Sequence, residues 1–226
     1  MRALYVFSVF CFFCLSLEAQ EYVLPAQGPF ERVKVSGNIH LELIPSESYR
    51  LKFAGDSVPE KLDLEWGDHL LILKTRSELH DDPVIRVKLD YAALSDLEIT
   101  RGAVVQSADT LKTKTLTLTV ETGGKAELII FADSVSARVS QGSDIILRGS
   151  ARSQLINANT VGNYLGYELE AVNTWVKAAT GAQVKVNSSM FLNANATSKA
   201  FIGYLGYPEQ KVFKNSTGGE ITRKNP

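Results

Sequence analysis

Apolar and polar residues alternate along most of this chain, which is the pattern of β-strands that bury one face and expose the other. Residues 116–120 (LTLTV) place leucine and valine on one side and threonine on the other, and residues 39–43 alternate in the same way. A helical period of 3.6 is not sustained over ten residues. The pattern therefore predicts an all-β protein.

Turns centred on glycine recur about every 20 residues in the C-terminal part. The series comprises Gly102, Gly123, Gly142, Gly162, Gly181 and Gly218, with a glycine-free Ser198-Lys199 in the same series. A fixed repeat of this length is typical of a solenoid, whose coils stack about 4.8 Å apart. Two similar tetrapeptides, at residues 108–111 and 132–135, and the segment 149–151 midway between the turns at Gly142 and Gly162 predict a second corner in each coil and two facing sheets.

The N-terminal part has shorter strands separated by turn sequences. Residues 62–66 and 70–74 flank Gly67-Asp68 and predict a β-hairpin. First strands are expected over residues 28–93 and regular coils over residues 94–226. Residues 20–226 are thus predicted to form one β-helix domain with short N-terminal strands and hairpins.

An apolar stretch follows Met1-Arg2 and ends at Leu17-Glu18-Ala19, which has the small-residue cleavage pattern of a secretory signal peptide. We expect residues 1–19 to be removed and the protein to be exported to the periplasm, the outer-membrane surface or the extracellular space. A membrane anchor is the alternative, but about 15 apolar residues fall short of the roughly 20 that span a bilayer. The mature chain is therefore expected to lack a membrane-spanning helix.

Two further readings of this segment concern its cysteines. Lipid attachment at Cys14 is disfavoured because bulky Phe12 and Phe13 stand where bacterial lipoproteins have small residues. Since Cys11 also lies within residues 1–19, the mature protein would contain no cysteine and no disulfide. Its stability must then come from burial and hydrogen bonding.

Charge argues against a nucleic-acid partner. The chain has 24 Lys and Arg against 25 Asp and Glu, which gives a net charge of −1. Long-range attraction of a nucleic acid requires a basic surface that this composition does not supply. We expect no nucleic-acid partner.

The sequence contains no convincing set of catalytic or metal-binding residues. The three histidines, His40, His69 and His80, all lie in the N-terminal third, and alternation places His40 on the polar side of its strand. The loop at residues 80–82 (HDD) is a poor metal signal. Glu127 and Asp144 could pair across neighbouring coils for glycoside hydrolysis, but nothing distinguishes them from other acidic residues. The sequence predicts no metal, no cofactor and no enzymatic activity.

Two copies of Tyr-Leu-Gly-Tyr, at residues 164–167 and 204–207, are the candidates for specific contact. If both occupy one corner, their tyrosines lie about 10 Å apart, two strand spacings. Alternation also places Trp175 on the outer side of its strand, together with Asn173. The candidate ligand-binding residues are Tyr164, Tyr167, Trp175, Tyr204 and Tyr207. The alternative is that the tyrosines pack in the core, as the asparagines of residues 157–159 and 193–195 are expected to stack in ladders.

Three segments resemble a known bacterial family. Residues 141–151 (QGSDIILRGSA) resemble the Gly-Ser-Gly-Asp-Ile repeats of the auto-transporter adhesin head GIN domain family, common in Bacteroidetes. Residues 30–39 resemble the N-terminal strand and Ser-Gly turn of that family, and residues 206–221 resemble its closing repeat. The resemblance covers about residues 28–224. It departs at Asp144, which follows Ser143 directly, and at residues 198–200 (SKA), which lack glycine.

The resemblance implies a right-handed single-stranded β-helix similar to the pectate-lyase architecture, an envelope or surface location and a role in adhesion. It supplies no catalytic residues, and the departures imply looser corners. We therefore expect an exported, non-catalytic binding protein that contacts a surface glycan or an envelope protein, with self-association as a secondary expectation. A polysaccharide lyase or hydrolase and a structural envelope scaffold are the alternatives.

Overall fold

A computed structural model describes residues 21–76 and 83–224. The described residues contain 17 β-strands and no helix. The strands are β1 (Glu21–Pro25), β2 (Arg32–Ser36), β3 (Ile39–Pro45), β4 (Arg50–Ala54), β5 (Leu62–Gly67), β6 (Leu70–Thr75), β7 (Ile85–Tyr91), β8 (Asp96–Thr100), β9 (Val104–Ser107), β10 (Leu111–Val120), β11 (Lys125–Val139), β12 (Asp144–Ala158), β13 (Asn163–Ala178), β14 (Gln183–Ala196), β15 (Phe201–Leu205), β16 (Gln210–Asn215) and β17 (Glu220–Arg223).

The strands stack into two principal sheets that follow the long axis of the molecule. Sheet A contains β5, β6, β2 and β8, then the C-terminal parts of β10 to β14, and ends with β16. Sheet B contains β1, β4, β7, β3 and β9, then the N-terminal parts of β11 to β14, and ends with β15 and β17. The predicted all-β solenoid is confirmed, and its right-handed sense stays a prediction.

One corner of the coil is a stack of seven tight turns. In each turn the two central residues have positive φ, from Arg101-Gly102 in the first to Thr217-Gly218 in the last. In six of the seven turns the amide of the fourth residue donates to the carbonyl of the first, as from Ala182 to Ala179 at 3.1 Å. This combination defines the type I′ turn, whose twist matches that of the strands.

These turns are also bonded to one another. The amide of the second central residue donates to the carbonyl of the first central residue in the next coil, for example Gly142 to Thr160 at 3.2 Å and Val161 to Thr180 at 3.0 Å. The glycine-free turn is part of the same series, because Lys199 donates to Thr217 at 3.1 Å. The looser corner that the sequence implied there is not observed.

Strands β11 to β14 continue through the second corner without ending. Their middle segments and the first residues of β10 form a short third stack, in which residues 111–113, 130–132 and 149–151 pair in parallel. Inward and outward positions alternate on either side of Asp133, and the alternation breaks there. The predicted second corner is therefore a bend, and it separates the third stack from sheet A.

The core is a continuous column of aliphatic side chains from both sheets. Inward positions align from coil to coil, so that Ile99, Val120 and Val139 lie in one row. All three are fully buried, and full burial of such a side chain stabilises the fold by about 1.5–3 kcal/mol. The predicted alternation at residues 116–120 is confirmed, since Leu116, Leu118 and Val120 point inward.

The N-terminal strands join the same sheets in an order that the sequence did not predict. Strand β2 lies between β6 and β8, and β3 lies between β7 and β9, so the first coil is inserted between two later ones. The predicted hairpin is confirmed as the antiparallel pair β5–β6, with its turn at Asp68-His69. Antiparallel β1 and β5 close this end of the solenoid.

The predicted signal peptide at residues 1–19 and the loop at residues 80–82 lie outside the described residues. Along the described chain, no helix has the length and hydropathy needed to cross a membrane.

Candidate ligand-contact face

The outer face of sheet A carries two adjacent columns of side chains that the parallel register aligns. The Trp175 column consists of Thr117, Ser136, Leu155, Trp175, Asn193 and Val212. The Lys177 column, taken over β10 to β16, consists of Thr119, Arg138, Asn157, Lys177, Asn195 and Lys214. We call both columns together the outer face of sheet A. Because strands are about 4.8 Å apart, each column offers a side chain at that interval.

An aromatic pair marks the centre of this face. Trp175 is 38% exposed, and its ring centre lies 5.3 Å from that of Phe191 at an interplanar angle of 45°. Leu155 and Val212, in the same column, are also exposed. The sequence prediction that Trp175 points outward is confirmed, because Thr174 and Val176 on either side of it are buried. A half-exposed indole offers both a flat apolar surface and an N–H donor.

A groove of about 550 Å³ follows the Lys177 column where sheet A meets the stacked turns. Arg138, Asn157, Lys177 and Asn195 line it from the sheet, and Glu121 lines it from the corner. The Oδ1 atom of Asn195 is buried, and no described group donates a hydrogen bond to it. The groove thus offers amide and cationic groups beside an apolar strip.

The two Tyr-Leu-Gly-Tyr segments do not occupy equivalent positions, contrary to the sequence prediction. Tyr164 is aligned through Val184 with Ile202, whereas Tyr204 is aligned through Val186 with Gly166. The copies are therefore offset by two residues. The predicted asparagine ladder is offset in the same way, because Asn157 aligns through Lys177 with Asn195 and not with Asn193.

Tyr164 is a core residue. Its side chain is fully buried, and its hydroxyl donates to Oε1 of Gln154 at 2.8 Å. Gln154 in turn donates to Oγ1 of Thr174 at 3.0 Å, so the three side chains satisfy one another inside the solenoid. Burial raises the pKa of Tyr164, which keeps the hydroxyl protonated as a donor. Tyr204 is buried as well and packs against Phe213 at 5.5 Å. Because both side chains are buried, the structure does not support the expectation that Tyr164 and Tyr204 contact a ligand.

The other two tyrosines contact the C-terminal strand. Lys224 Nζ lies 5.0 Å from the ring centre of Tyr167, and the Arg223 guanidinium lies 3.6 Å from that of Tyr207. Tyr167 also crosses Gly203, where an added Cβ would lie 2.4 Å from the tyrosine hydroxyl. These cation–π contacts fasten the last coil to the preceding coils. Tyr207 is 73% exposed and remains accessible beside Arg223.

The residues that the sequence suggested as catalytic candidates do not come together in one site. Glu127 accepts from Arg148 at 2.9 Å, and this hydrogen bond holds the pKa of Glu127 below its usual range. Asp144 accepts instead from the Asn163 amide at 2.8 Å. His40 is exposed, and His69 lies in the β5–β6 turn. Among residues 21–76 and 83–224, His, Cys, Asp and Glu form no cluster that could hold a metal ion.

Sequence analysis missed most of the outer face of sheet A. Arg138, Asn157, Lys177 and Asn195 align because coils of 18 to 21 residues place them in register, not because they belong to a recurring motif. Their spacings of 19, 20 and 18 residues would have identified the column once the turns at Gln141, Thr160, Thr180 and Ser198 were known.

Comparison with known families identifies the chain. The family model described as "putative auto-transporter adhesin, head GIN domain" matches residues 29–208. The chain belongs to this family. The resemblance inferred from the sequence is confirmed, and membership in an adhesin family indicates a binding protein located at the cell envelope or surface. No curated protein matches the chain.

Three solved structures of similar fold come from Bacteroidetes. A protein from Bacteroides fragilis described as a "putative adhesin" superposes with a TM-score of 0.80 at 15% identity, covering 91% of this chain and 97% of the other. A "putative adhesin" from Parabacteroides distasonis gives 0.70 at 16% identity, covering 91% and 96%. A "putative lipid binding protein" from the same species gives 0.67 at 16% identity, covering 92% and 98%. At these identities the likeness shows the head GIN fold alone.

Proposed function

We propose that this head GIN protein is an exported, non-catalytic adhesin that binds a surface polysaccharide on the outer face of sheet A. The observation that carries the proposal is the half-exposed Trp175–Phe191 pair on the outer face of sheet A. Sugar rings have apolar faces and polar edges, so they are complementary to an indole flanked by amides. Asn157 and Asn193 supply such amides on either side of Trp175.

The geometry supports binding over catalysis. Glycoside hydrolysis requires one carboxyl group with a raised pKa to act as the acid. Glu127 is shifted in the opposite direction by Arg148, and Glu127 and Asp144 bond to other side chains. The groove beside Lys177 is lined by amides, cations and hydroxyls, with Glu121 as the single acidic side chain among its described lining residues.

Polysaccharide binding by the purified protein and by Trp175→Ala tests the proposal. Wild-type protein is first screened on a glycan array, and the best polysaccharide is then titrated by calorimetry. We expect the substitution to weaken binding by about tenfold, because truncating an aromatic anchor costs on the order of 1–2 kcal/mol. Thermal unfolding should change little, since Trp175 lies outside the core.

Phe131→Ala is the matched control. Phe131 is 62% exposed but lies on the outer side of the third stack, away from sheet A. This variant should bind as the wild type does. Undiminished binding by Trp175→Ala would reject the site. Release of reducing or unsaturated sugar ends by the wild-type protein would reject the non-catalytic assignment.

A further inference from the structure

Cationic side chains recur at every second position along part of the Lys177 column. The order from coil to coil is Arg138, Asn157, Lys177, Asn195 and Lys214. Since adjacent strands are about 4.8 Å apart, successive cations are separated by about 10 Å. Within these five positions the column contains no acidic side chain.

These cations are free of internal partners. Some basic side chains pair with carboxylates, as Lys34 does with Glu98 at 2.7 Å in the N-terminal continuation of the same row, and as Arg148 does with Glu127 at 2.9 Å on sheet B. Among the described residues, Arg138, Lys177 and Lys214 have no carboxylate within 4.0 Å. All three are exposed. Their charges are therefore available to an external anion.

We infer that the Lys177 column selects an acidic polysaccharide that lies along the solenoid axis. This inference rests on the proposed function, because the same face must bind sugar for charge to select among sugars. A separation of about 10 Å is on the length scale of two sugar residues, so one carboxylate per disaccharide can meet one cation. Each such contact is a charge-assisted hydrogen bond.

The amides between the cations complete the recognition. Asn157 and Asn195 lie at the level of the sugar units that do not meet a cation, and they line the same groove. The half-buried side chains of Asn157 and Asn195 carry amide groups, which can form hydrogen bonds with sugar hydroxyls. On the same strand as Lys177, Trp175 is two residues away and points to the same side, so its ring flanks the polymer.

A nucleic acid is the less favoured polyanion. The chain has a net charge of −1, and nucleic-acid binding depends on a broad basic surface that neutralises many phosphates. This face carries a single row of cations beside an apolar column that includes Leu155 and Val212. Such a face suits a polymer with sparse charges and apolar ring faces.

The test compares two forms of one polymer on the full chain. Hyaluronan, which carries one carboxylate per disaccharide, and its fully methyl-esterified, uncharged form are titrated against the wild type and against Arg138→Gln/Lys177→Gln. We expect tighter binding of the charged form, weakening as salt is added. The double substitution should weaken that binding by about tenfold, since exposed ion pairs contribute up to about 1 kcal/mol each. Binding of the ester should change little.

Lys112→Gln/Lys114→Gln is the control, because it removes the same charge from exposed residues on β10. It should bind both polymers as the wild type does. Equal binding of both polymers, dependent on Trp175, would overturn this inference while the proposed function stands. Binding of neither polymer, together with no binding on the glycan array, would overturn both. Equally tight, Lys177-dependent binding of duplex DNA would overturn the polysaccharide assignment.

Discussion

At the scale of single residues, the stacked turns require positive φ at their two central positions but do not require glycine there. Both central positions of every stacked turn have positive φ, yet Thr160-Val161 and Ser198-Lys199 fill them without glycine. Gly162, which the sequence predicts as the turn glycine, occupies the fourth position instead. An added Cβ there would lie 2.6 Å from the Val139 carbonyl oxygen. Gly162 is thus required by close approach of the backbone and not by its φ.

Val161→Gly should stabilise the protein. A β-branched residue at φ 60° is strained, and left-handed backbone costs a residue other than glycine roughly 1–2 kcal/mol. Val161 is 59% exposed, so its removal loses little burial, although glycine gains freedom in the unfolded chain. We expect a net gain of about 0.5–1 kcal/mol, measured by reversible denaturant unfolding.

Gly181→Val is the reciprocal control for that experiment. Gly181 has φ 70° at the same position of the next coil, with open space around its added Cβ apart from Val161 Cγ2 at 4.0 Å. It should lose about 1–2 kcal/mol through backbone strain alone. If both substitutions leave the unfolding midpoint unchanged, the stacking hydrogen bonds determine turn stability and φ strain does not.

At the scale of elements, the long strands β11 to β14 depend on single residues that depart from regular strand geometry. In β12, Gly149 has φ 106°, and an added Cβ would lie 2.1 Å from the Ile130 carbonyl oxygen of the neighbouring strand. The glycine lets β12 enter the third stack without losing its pairing with β11. It is the point where a strand of 15 residues changes sheet.

Gly149→Ala should therefore be strongly destabilising. The substitution adds a backbone clash to an unfavourable φ, and we expect a loss of about 3 kcal/mol or more. Gly142→Ala is the control, because Gly142 has φ 68° but nothing within 4 Å of its added Cβ. That variant should lose only about 1 kcal/mol. Similar losses in the two variants, from unfolding curves, would show that φ and not the clash is decisive.

Coil length explains what the sequence could and could not predict. Alternation alone placed Trp175 outward and Val120 inward, because each depends only on neighbours in one strand. Register between coils depends on their exact lengths. The turns at Thr160 and Ser198 are 38 residues apart, whereas the two Tyr-Leu-Gly-Tyr copies are 40 apart, which gives the offset of two residues. A repeat counted along the chain cannot show that β13 bulges against β14 between Gly166 and Glu170.

Gln154, a buried polar residue, shows the same limit of prediction from the sequence. Gln154 follows Arg152 and Ser153 in a polar stretch that the sequence does not mark as core. It is buried because the bend before it reverses which side chains point inward. Its partners, Tyr164 and Thr174, lie in the following coil, and only the coil geometry brings the three together.

At the scale of the whole molecule, the two ends of the solenoid differ. At the N-terminal end, Phe30 packs against Tyr49 at 4.7 Å and against Trp66 at 6.2 Å, beneath antiparallel strands. At the C-terminal end, all six residues of β16 are exposed, and β16 pairs with β14 alone among the described strands. Its free edge carries exposed Val212 and Phe213.

We expect this open end to support self-association, as the sequence analysis anticipated. Two copies can pair their β16 edges about a twofold axis, which satisfies backbone groups and covers Val212. Sedimentation velocity over a wide concentration range should show a monomer–dimer equilibrium. Val212→Lys should shift it to monomer, because a charge on an edge strand opposes pairing.

Val23→Lys provides the control for the other end of the solenoid. Val23 is 43% exposed on β1, which pairs with β4 on one side, so the substitution adds the same charge to the opposite edge. It should associate as the wild type does. Loss of dimer in Val23→Lys with dimer retained in Val212→Lys would place the contact at the N-terminal end. A monomeric wild type at every concentration would reject edge pairing, leaving the outer face of sheet A as the adhesive surface.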